Sequence, residues 1–122
     1  MRSSTPILRE PSPGEARVIA RLLGVEFPGA PEVRNQAAQS TVQVQDYGDV
    51  LVLAFKSTVS LPLARVDQRI PVEAEAPDVD GVMIHFLLHV VGGVIKEVEV
   101  FREDSGKIRR FPKDTDLEVV VN

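Results

Sequence analysis

The spacing of apolar residues along the chain changes once, in its first half. Before that change, apolar side chains recur at helical spacing between Val18 and Leu23, which predicts an amphipathic helix over residues 13–23. Ser12 and Glu15 have the spacing of a capping box, in which each side chain bonds the backbone N–H of the other residue. The start of this helix is therefore predicted from local chemistry as well as from periodicity.

The other N-terminal segments have weaker patterns. Pro31 favours the start of a second helix, over about residues 31–38, with only a thin apolar face. Residues 1–10 show no regular pattern, and we expect them to form a flexible arm pinned by Ile7 and Leu8. Residues 11–40 are therefore predicted to form a helical cap.

From residue 41 onward the pattern has a period of two, which is typical of strands. Residues 50–55 form a continuous apolar run, as in a strand covered on both faces. Pro71 favours an edge strand or a strand end, because proline cannot donate a hydrogen bond to a sheet. The predicted strands are 41–45, 50–55, 70–76, 82–91, 94–102, 107–111 and 117–121.

The order of these segments predicts an α+β fold. Two N-terminal helices should pack on a predominantly antiparallel sheet of about five to seven strands, with a meander in the C-terminal half. A length of 122 residues is typical of one domain, so we expect a single domain over residues 1–122, with the sheet in residues 41–122. A hydrophobic content of 43% can supply its core.

The hairpin over residues 82–102 can be aligned from its side chains. A two-residue glycine loop would place Phe86 opposite Glu99, and carboxylates would then lie on the apolar face at a high desolvation cost. A three-residue loop shifts the register by one residue and brings Val98 and Val100 to that face. We therefore predict a three-residue loop containing a left-handed glycine.

A second apolar stripe runs along the same hairpin. Met83, Leu87 and Val91 lie opposite the face that should serve the core, and two helices can cover only one face of a sheet. Either the 57–68 loop and the N-terminal arm fold over this stripe, or a second copy of the chain does. We favour a homodimer, because a two-fold axis would use the same patch twice.

Charge and composition exclude several classes of function. A net charge of −4 argues against nonspecific binding to nucleic acid, which needs a positive surface. No segment has the ~20 apolar residues of a membrane span, and the N-terminus does not resemble a signal peptide, so we expect a cytoplasmic protein with no membrane contact. The absence of cysteine excludes disulfides and thiolate-bound zinc.

His85 and His89 are the two histidines of the chain. On a strand they lie about 13 Å apart, at roughly 3.3 Å per residue, so one ion cannot bind both, and we predict neither a metal site nor a cofactor. An odd-numbered loop would place either His85 opposite Glu99 or His89 opposite Glu97. A cross-strand pair on a half-exposed face is the simpler interpretation, and a general base is the alternative.

Two further motifs carry charge. Asp78-x-Asp80-Gly81 is similar to part of a calcium loop but lacks the remaining ligands, so it is interpreted as a turn. One basic cluster could contact phosphate or nucleic acid, although a charged edge strand protected against aggregation explains it as well. That cluster consists of Lys107, Arg109, Arg110 and Lys113.

Several motifs around the hairpin resemble those of a family of small uncharacterised bacterial proteins. They are Val-Glu-Ala at 72–74, Asp-x-Asp-Gly at 78–81, Leu-Leu-His-Val at 87–90 and Glu-Val-Glu-Val-Phe-Arg at 97–102. The helical segment 22–36 resembles the same family. The resemblance covers about half the chain and implies no activity, because the family has no assigned function. The Leu-Leu-His-Val match favours His89 over His85.

The sequence therefore predicts a small non-catalytic binding protein of the bacterial cytoplasm. Its acidic character suits an immunity-type partner that binds a toxin. The alternative is a small enzyme or ligand-binding protein that uses His85 or His89 with Glu97 or Glu99. A concave apolar pocket lined by a histidine would favour that alternative, and a flat surface would favour the interaction protein.

Overall fold

The computed structural model describes residues 5–122 and confirms the α+β fold, with two helices and a seven-stranded antiparallel sheet within that range. The elements are β1 (Ile7–Arg9), α1 (Pro13–Leu23), α2 (Ala30–Ala38), β2 (Thr41–Asp46), β3 (Val50–Lys56), β4 (Val72–Pro77), β5 (Met83–Val91), β6 (Val94–Arg102), a short 3-10 turn (Asp114–Asp116) and β7 (Glu118–Val121).

The strand order in the sheet is β1-β2-β3-β6-β5-β4-β7, and every neighbouring pair is antiparallel. Strands β4, β5 and β6 follow one another as a meander, which confirms this feature of the C-terminal half. Pro71 directly precedes β4, and β4 lies between β5 and β7. The proline therefore marks a strand end rather than an edge strand.

One face of the sheet packs against both helices and forms the core. The capping box of α1 is present, with Ser12 and Glu15 bonding each other's backbone N–H groups. Val18 and Leu22 of α1 and Phe86 of β5 are fully buried. The buried cluster includes Val33, Val44, Leu53, Val72, Ala74, Ile84, Leu88, Val98 and Val100.

The register of the β5–β6 hairpin is as predicted, but its loop is not. Phe86 lies opposite Val100 and Leu88 opposite Val98, so the valines share the core face. The loop has two residues, Gly92-Gly93, both with positive φ. A β-bulge at Lys96, between the facing pairs Val90–Ile95 and His89–Glu97, supplies the extra residue. The predicted three-residue loop was wrong, because a β-bulge shifts the register by one residue just as a longer loop would.

Residues 7–9 form edge strand β1 rather than part of a flexible arm. Arg9 anchors this strand, since its guanidinium donates two hydrogen bonds of 2.7 and 2.8 Å to the buried Glu15 carboxylate. Burial is the largest single influence on the pKa of Glu15 and would raise it, but the hydrogen bonds from Arg9 and Ser12 together with the Arg9 charge outweigh it and lower the pKa. Ile7 and Leu8, expected to pin the arm, are exposed. The part of the arm over residues 1–4 lies outside the described residues.

The segment between β3 and β4 packs on the helical side of the sheet. Ala64 is buried in the core, and its N–H donates to the Gly93 carbonyl at the hairpin tip. Gln36 of α2 bonds the same tip, donating to the Gly93 carbonyl and accepting from the Ile95 N–H. A Cβ on Gly93 would lie 3.0 Å from the Ala64 carbonyl oxygen and from Leu63, so the approach requires glycine. This loop therefore does not cover the second apolar stripe.

Candidate functional site

The candidate site is the face of the sheet opposite the helices, which we call the open face, because no described helix or loop packs across it. The cross-strand partners define which side chains share it. They include Gln43 and Gln45 of β2, Val50, Val52, Ala54 and Lys56 of β3, Glu97, Glu99 and Phe101 of β6, Met83, His85, Leu87, His89 and Val91 of β5, Glu73 and Glu75 of β4, and Glu118 and Val120 of β7.

Carboxylates dominate the charge of the open face. Five of the side chains just named are glutamates, and Glu103 lies beside them with a carboxylate oxygen 3.3 Å from His85 Nε2. Glu75 lies directly opposite Glu118 across β4 and β7, a like-charge pair that costs stability. Arg69, in the loop before β4, bonds this face from its border. The open face is therefore negative, with apolar side chains between the carboxylates.

His89 lies near the hairpin end of β5, one residue beyond the last pair with β4, and bonds two charged neighbours. Its Nε2 is 3.0 Å from Glu99 Oε1, and its Nδ1 accepts a hydrogen bond from Arg69 Nε at 3.3 Å. Because the guanidinium can only donate, Nδ1 carries no proton, and Nε2–H donates to Glu99. These contacts select the neutral Nε2–H tautomer in this arrangement.

Glu97 completes a compact group with His89 and Glu99, which we call the His89 cluster. One ligand atom from each of the three side chains lies within 4.8 Å of the others. Glu97 faces His89 across the strands, as one predicted register implied, and it is only 7% exposed. The sequence named Glu99 as a candidate partner but placed it directly opposite His85, whereas its contact with His89 is diagonal and depends on the reach of long side chains.

His85 belongs to a different part of the open face. It lies opposite Phe101 rather than Glu99, so that predicted pairing was wrong, and the two rings stack with centroids 5.5 Å apart. Its nearest carboxylates are Glu103 at 3.3 Å and Glu75 at 3.8 Å. The structure therefore gives each histidine its own carboxylates and does not bring the two rings together.

The clefts found in the structure lie away from both histidines. The first, of about 330 Å³, lies between Arg9, Asp46 and Lys107, and another of about 350 Å³ lies at the hairpin tip beside Leu63 and Val94. Two more, of about 200 and 430 Å³, surround the segment before β7. None of the four is lined by His85, His89 or their partner glutamates.

The predicted basic patch is divided among separate places. Lys107 borders the first cleft, whereas Arg110 and Lys113 border the cleft of about 200 Å³. Arg109 lies 3.5 Å from Asp80. The predicted strand over 107–111 is wrong, since this segment has no strand partner among the described residues. The four basic residues therefore do not line one common phosphate-binding cleft among the clefts described here.

That segment is held by a second acidic group, which we call the Arg102 clasp. The Arg102 guanidinium bonds carboxylates of Asp78, Asp80 and Asp104 at 2.7–3.0 Å. Asp78 also accepts the backbone N–H groups of Arg109 and Arg110. The Asp-x-Asp motif, interpreted as a turn, thus closes the β4–β5 turn and ties it to the chain after β6.

Every charge in the Arg102 clasp has partners. Burial would raise the pKa of Asp78, but hydrogen bonds from the amides of Arg109 and Val79 and from the Arg102 guanidinium lower it to about 2. Bonds from Arg102 likewise lower the pKa of Asp80 and that of Asp104. The three carboxylates, Asp104 foremost, raise the pKa of Arg102. The clasp therefore stays ionised and closed, as expected of a structural element.

Fold and site together define a class of small α+β domain, in which two helices cover one face of an antiparallel sheet and an acidic face is left open. The chain belongs to the family described as domain of unknown function DUF6984, whose model matches residues 8–112. The expected membership of an uncharacterised family is confirmed. No curated protein and no solved structure matches the chain. Within the described residues, no helix is both long and apolar enough to cross a membrane.

Proposed function

We propose that this protein is a non-catalytic binding protein that uses its open face to bind a basic protein partner. The observation that carries the proposal is the position of the four clefts described above, none of which is lined by a histidine or its partner glutamates. The catalytic alternative requires a concave pocket around a histidine. A broad sheet surface suits a protein interface better than a small substrate.

The composition of the open face supports the choice of partner. Leu87 lies between Glu73 and Glu99 across the strands, so an apolar side chain has carboxylates on both sides. Phe101, with His85 stacked on it, adds an aromatic group to the same face. Apolar anchors surrounded by charge are typical of protein interfaces, where the charges set specificity and the rate of encounter. A partner rich in lysine and arginine would complement this surface.

The same charges bear on the homodimer, which stays a prediction. A second copy placed on the open face would bring like charges together, and such contacts cost several kcal/mol in wrong complexes. A basic partner avoids this cost. An immunity-type role in the bacterial cytoplasm fits this chemistry, because a toxin that acts on nucleic acid needs a basic surface that an acidic partner can cover.

A charge-reversal pair tests the proposal. Glu75→Lys with Glu118→Lys changes two carboxylates that face each other on β4 and β7. Asp49→Lys with Asp67→Lys makes the same change in net charge at exposed positions outside the sheet strands. Tagged wild-type protein and both variants are used to capture proteins from the source bacterium, and the retained proteins are quantified by mass spectrometry.

We expect one basic protein to be retained by the wild type and by the Asp49/Asp67 control and lost from the Glu75/Glu118 variant. Retention should also weaken as salt is added, because screening acts over about 8–10 Å at 0.1–0.15 M. Equal retention by all three proteins would remove the open face as the interface.

The alternative function rests on one specific observation, the His89–Glu99 contact of 3.0 Å. This pair could act as a general base towards a bound substrate. Binding of the partner through Glu75 and Glu118 does not involve His89, so His89→Asn should retain the partner. Loss of the partner in His89→Asn, without loss in the Glu75/Glu118 variant, would favour the alternative site.

A further inference from the structure

We propose that His89, Glu97 and Glu99 form a largely buried site for one divalent transition-metal ion, reached from the open face through Glu99. From the sequence we inferred only that His85 and His89 cannot share an ion, and in the structure the two side chains have different partners. The ligand set that the register assembles is different, because it takes one imidazole from β5 and two carboxylates from β6.

The spacing of the ligand atoms fits a single ion. Metal–nitrogen and metal–oxygen bonds of about 2.0–2.2 Å place adjacent ligand atoms about 3 Å apart. His89 Nε2 and Glu99 Oε1 are already 3.0 Å apart. A carboxylate oxygen of Glu97 lies within 4.8 Å of a ring nitrogen of His89 and of a carboxylate oxygen of Glu99, close enough for the three side chains to converge on one ion.

The protonation state also suits metal binding. His89 Nε2 carries the proton that points to Glu99, and an ion would take the place of that proton. The Arg69 bond to Nδ1 is long, at 3.3 Å, and Arg69 is exposed. It can be released when Nδ1 takes up the proton, as metal-bound histidines require at the second nitrogen.

The surroundings of the cluster favour a cation. Val52 lies opposite Glu99 and Ala54 opposite Glu97 on the other side of β6, and both are buried apolar residues. Low polarity beside the carboxylates strengthens their attraction for a positive charge. Two carboxylates would balance the charge of a divalent ion, and the open side of the face leaves positions for water.

The ligand types select the class of ion. An imidazole with two carboxylates suits Zn²⁺, Co²⁺, Mn²⁺ or Fe²⁺, whereas Ca²⁺ and Mg²⁺ prefer oxygen ligands alone. The cluster lies on the open face, away from the helices and core, so the fold does not depend on the ion. The site therefore differs from a structural zinc site, and binding of the ion does not require the partner proposed above, although Glu99 also lies beside Leu87 on the same face.

Titration with Co²⁺ alone, followed by displacement with Zn²⁺, tests the proposal by the visible spectrum and by calorimetry. His89→Asn and Glu99→Gln remove one ligand each, and His85→Asn is the matched control on the same face. We expect one ion per chain in the wild type and in His85→Asn. Loss of a ligand should weaken binding at least about tenfold.

A measurement on the wild type alone guards against variants that fail to fold. In long-range ¹H–¹⁵N spectra, Zn²⁺ should shift the Nε2 resonance of His89 and leave the ring nitrogens of His85 unchanged. Co²⁺ binding that is not saturable, equal binding by all variants, or a shift confined to His85 would each overturn the proposal.

Discussion

The Arg102 clasp and the His89 cluster each gather carboxylates around one basic side chain, yet they differ in what they can do. In the clasp an arginine that cannot lose its proton is bonded to three aspartates and is almost fully buried. In the His89 cluster a neutral imidazole meets two glutamates on the open face. A permanent cation closes one group, while the other can exchange a proton for a metal ion.

A motif in the sequence does not by itself distinguish carboxylates that stabilise the fold from carboxylates that bind a ligand. The Asp-x-Asp motif is the more calcium-like in sequence, but its carboxylates are already used by Arg102 and by backbone N–H groups. Glu97 and Glu99 belong to no metal-binding motif in the sequence, but the register brings them to one histidine. The aspartates of the clasp are held by a permanent cation, whereas the glutamates of the His89 cluster lie beside an imidazole whose proton can be replaced by an ion.

The first prediction concerns how much a core residue beside the Arg102 clasp contributes to the free energy of unfolding. Phe86 is fully buried and meets Phe111 edge-on at 5.8 Å, so it joins the core to the segment that the clasp holds. Phe86→Ala should lower the free energy of unfolding by about 3–5 kcal/mol, because it leaves a cavity in the core. Urea denaturation measures the loss, and a loss below about 1 kcal/mol would contradict the packing described here.

The second prediction separates the two groups directly. Arg102→Leu leaves Asp78 buried without its cation, so the melting temperature should fall by roughly 5–10 °C. His89→Asn, the matched change in the other group, should lower it less, because Glu99, which loses its hydrogen bond, is 28% exposed and stays hydrated. Differential scanning calorimetry compares the two. Equal decreases in melting temperature would show that the clasp and the His89 cluster contribute equally to stability, contrary to the prediction.

The third prediction concerns acid. The pKa of Asp78 is lowered from 3.8 to about 2 in the folded protein, so the folded state holds its proton less tightly than the unfolded chain does. Its contribution is therefore fully present above pH 3.8 and is lost as the pH falls towards 2. Melting temperatures measured across this window should fall steeply for the wild type.

Asp78→Asn is the control for the acid measurement. Because it removes the titrating group, its melting temperature should start lower and change less across the same window. Asp80 and Asp104, whose pKa values are also lowered, leave part of the slope in place. A slope as steep as that of the wild type would show that the clasp does not govern the acid response.

The fourth and smallest effect concerns self-association through the open face. Leu87 lies between two glutamates, so a homodimer formed there should be weak and should strengthen when salt screens the carboxylates. Leu87→Lys should abolish it without unfolding the chain. Light scattering across dilution and salt series provides the mass, and a constant mass near 13.4 kDa would contradict the homodimer.

Features that depend on near neighbours along the chain were predicted well. Helix α1 has the predicted bounds, because the capping box and the apolar spacing act within a few residues. The register of the β5–β6 hairpin followed from keeping Glu97 and Glu99 off the core face. The β-bulge at Lys96 that produces this register was not predicted, because a bulge and a longer loop place the same side chains on the same face of the sheet.

The candidate site was only partly predictable. All four histidine and glutamate candidates were named from the sequence, and the facing pair His89–Glu97 was one of two registers left open. The diagonal contact of His89 with Glu99 and the approach of Arg69 depend on side-chain reach and on where the loop before β4 lies. Neither contact produces a periodic pattern in the sequence from which it could have been predicted.

The sequence by itself determined both helices, the strands β2 to β6 and the apolar face of the long hairpin, because burial imposes a period on the residues of these segments. Only the tertiary structure decided which distant charges meet. Arg102 takes its aspartates from the β4–β5 turn, and Arg9 takes Glu15 from α1. Any of the 14 basic residues could in principle pair with any of the 18 acidic ones, and local spacing does not choose among them. The choice follows from packing, which brings particular strand ends together and excludes water from the charges between them.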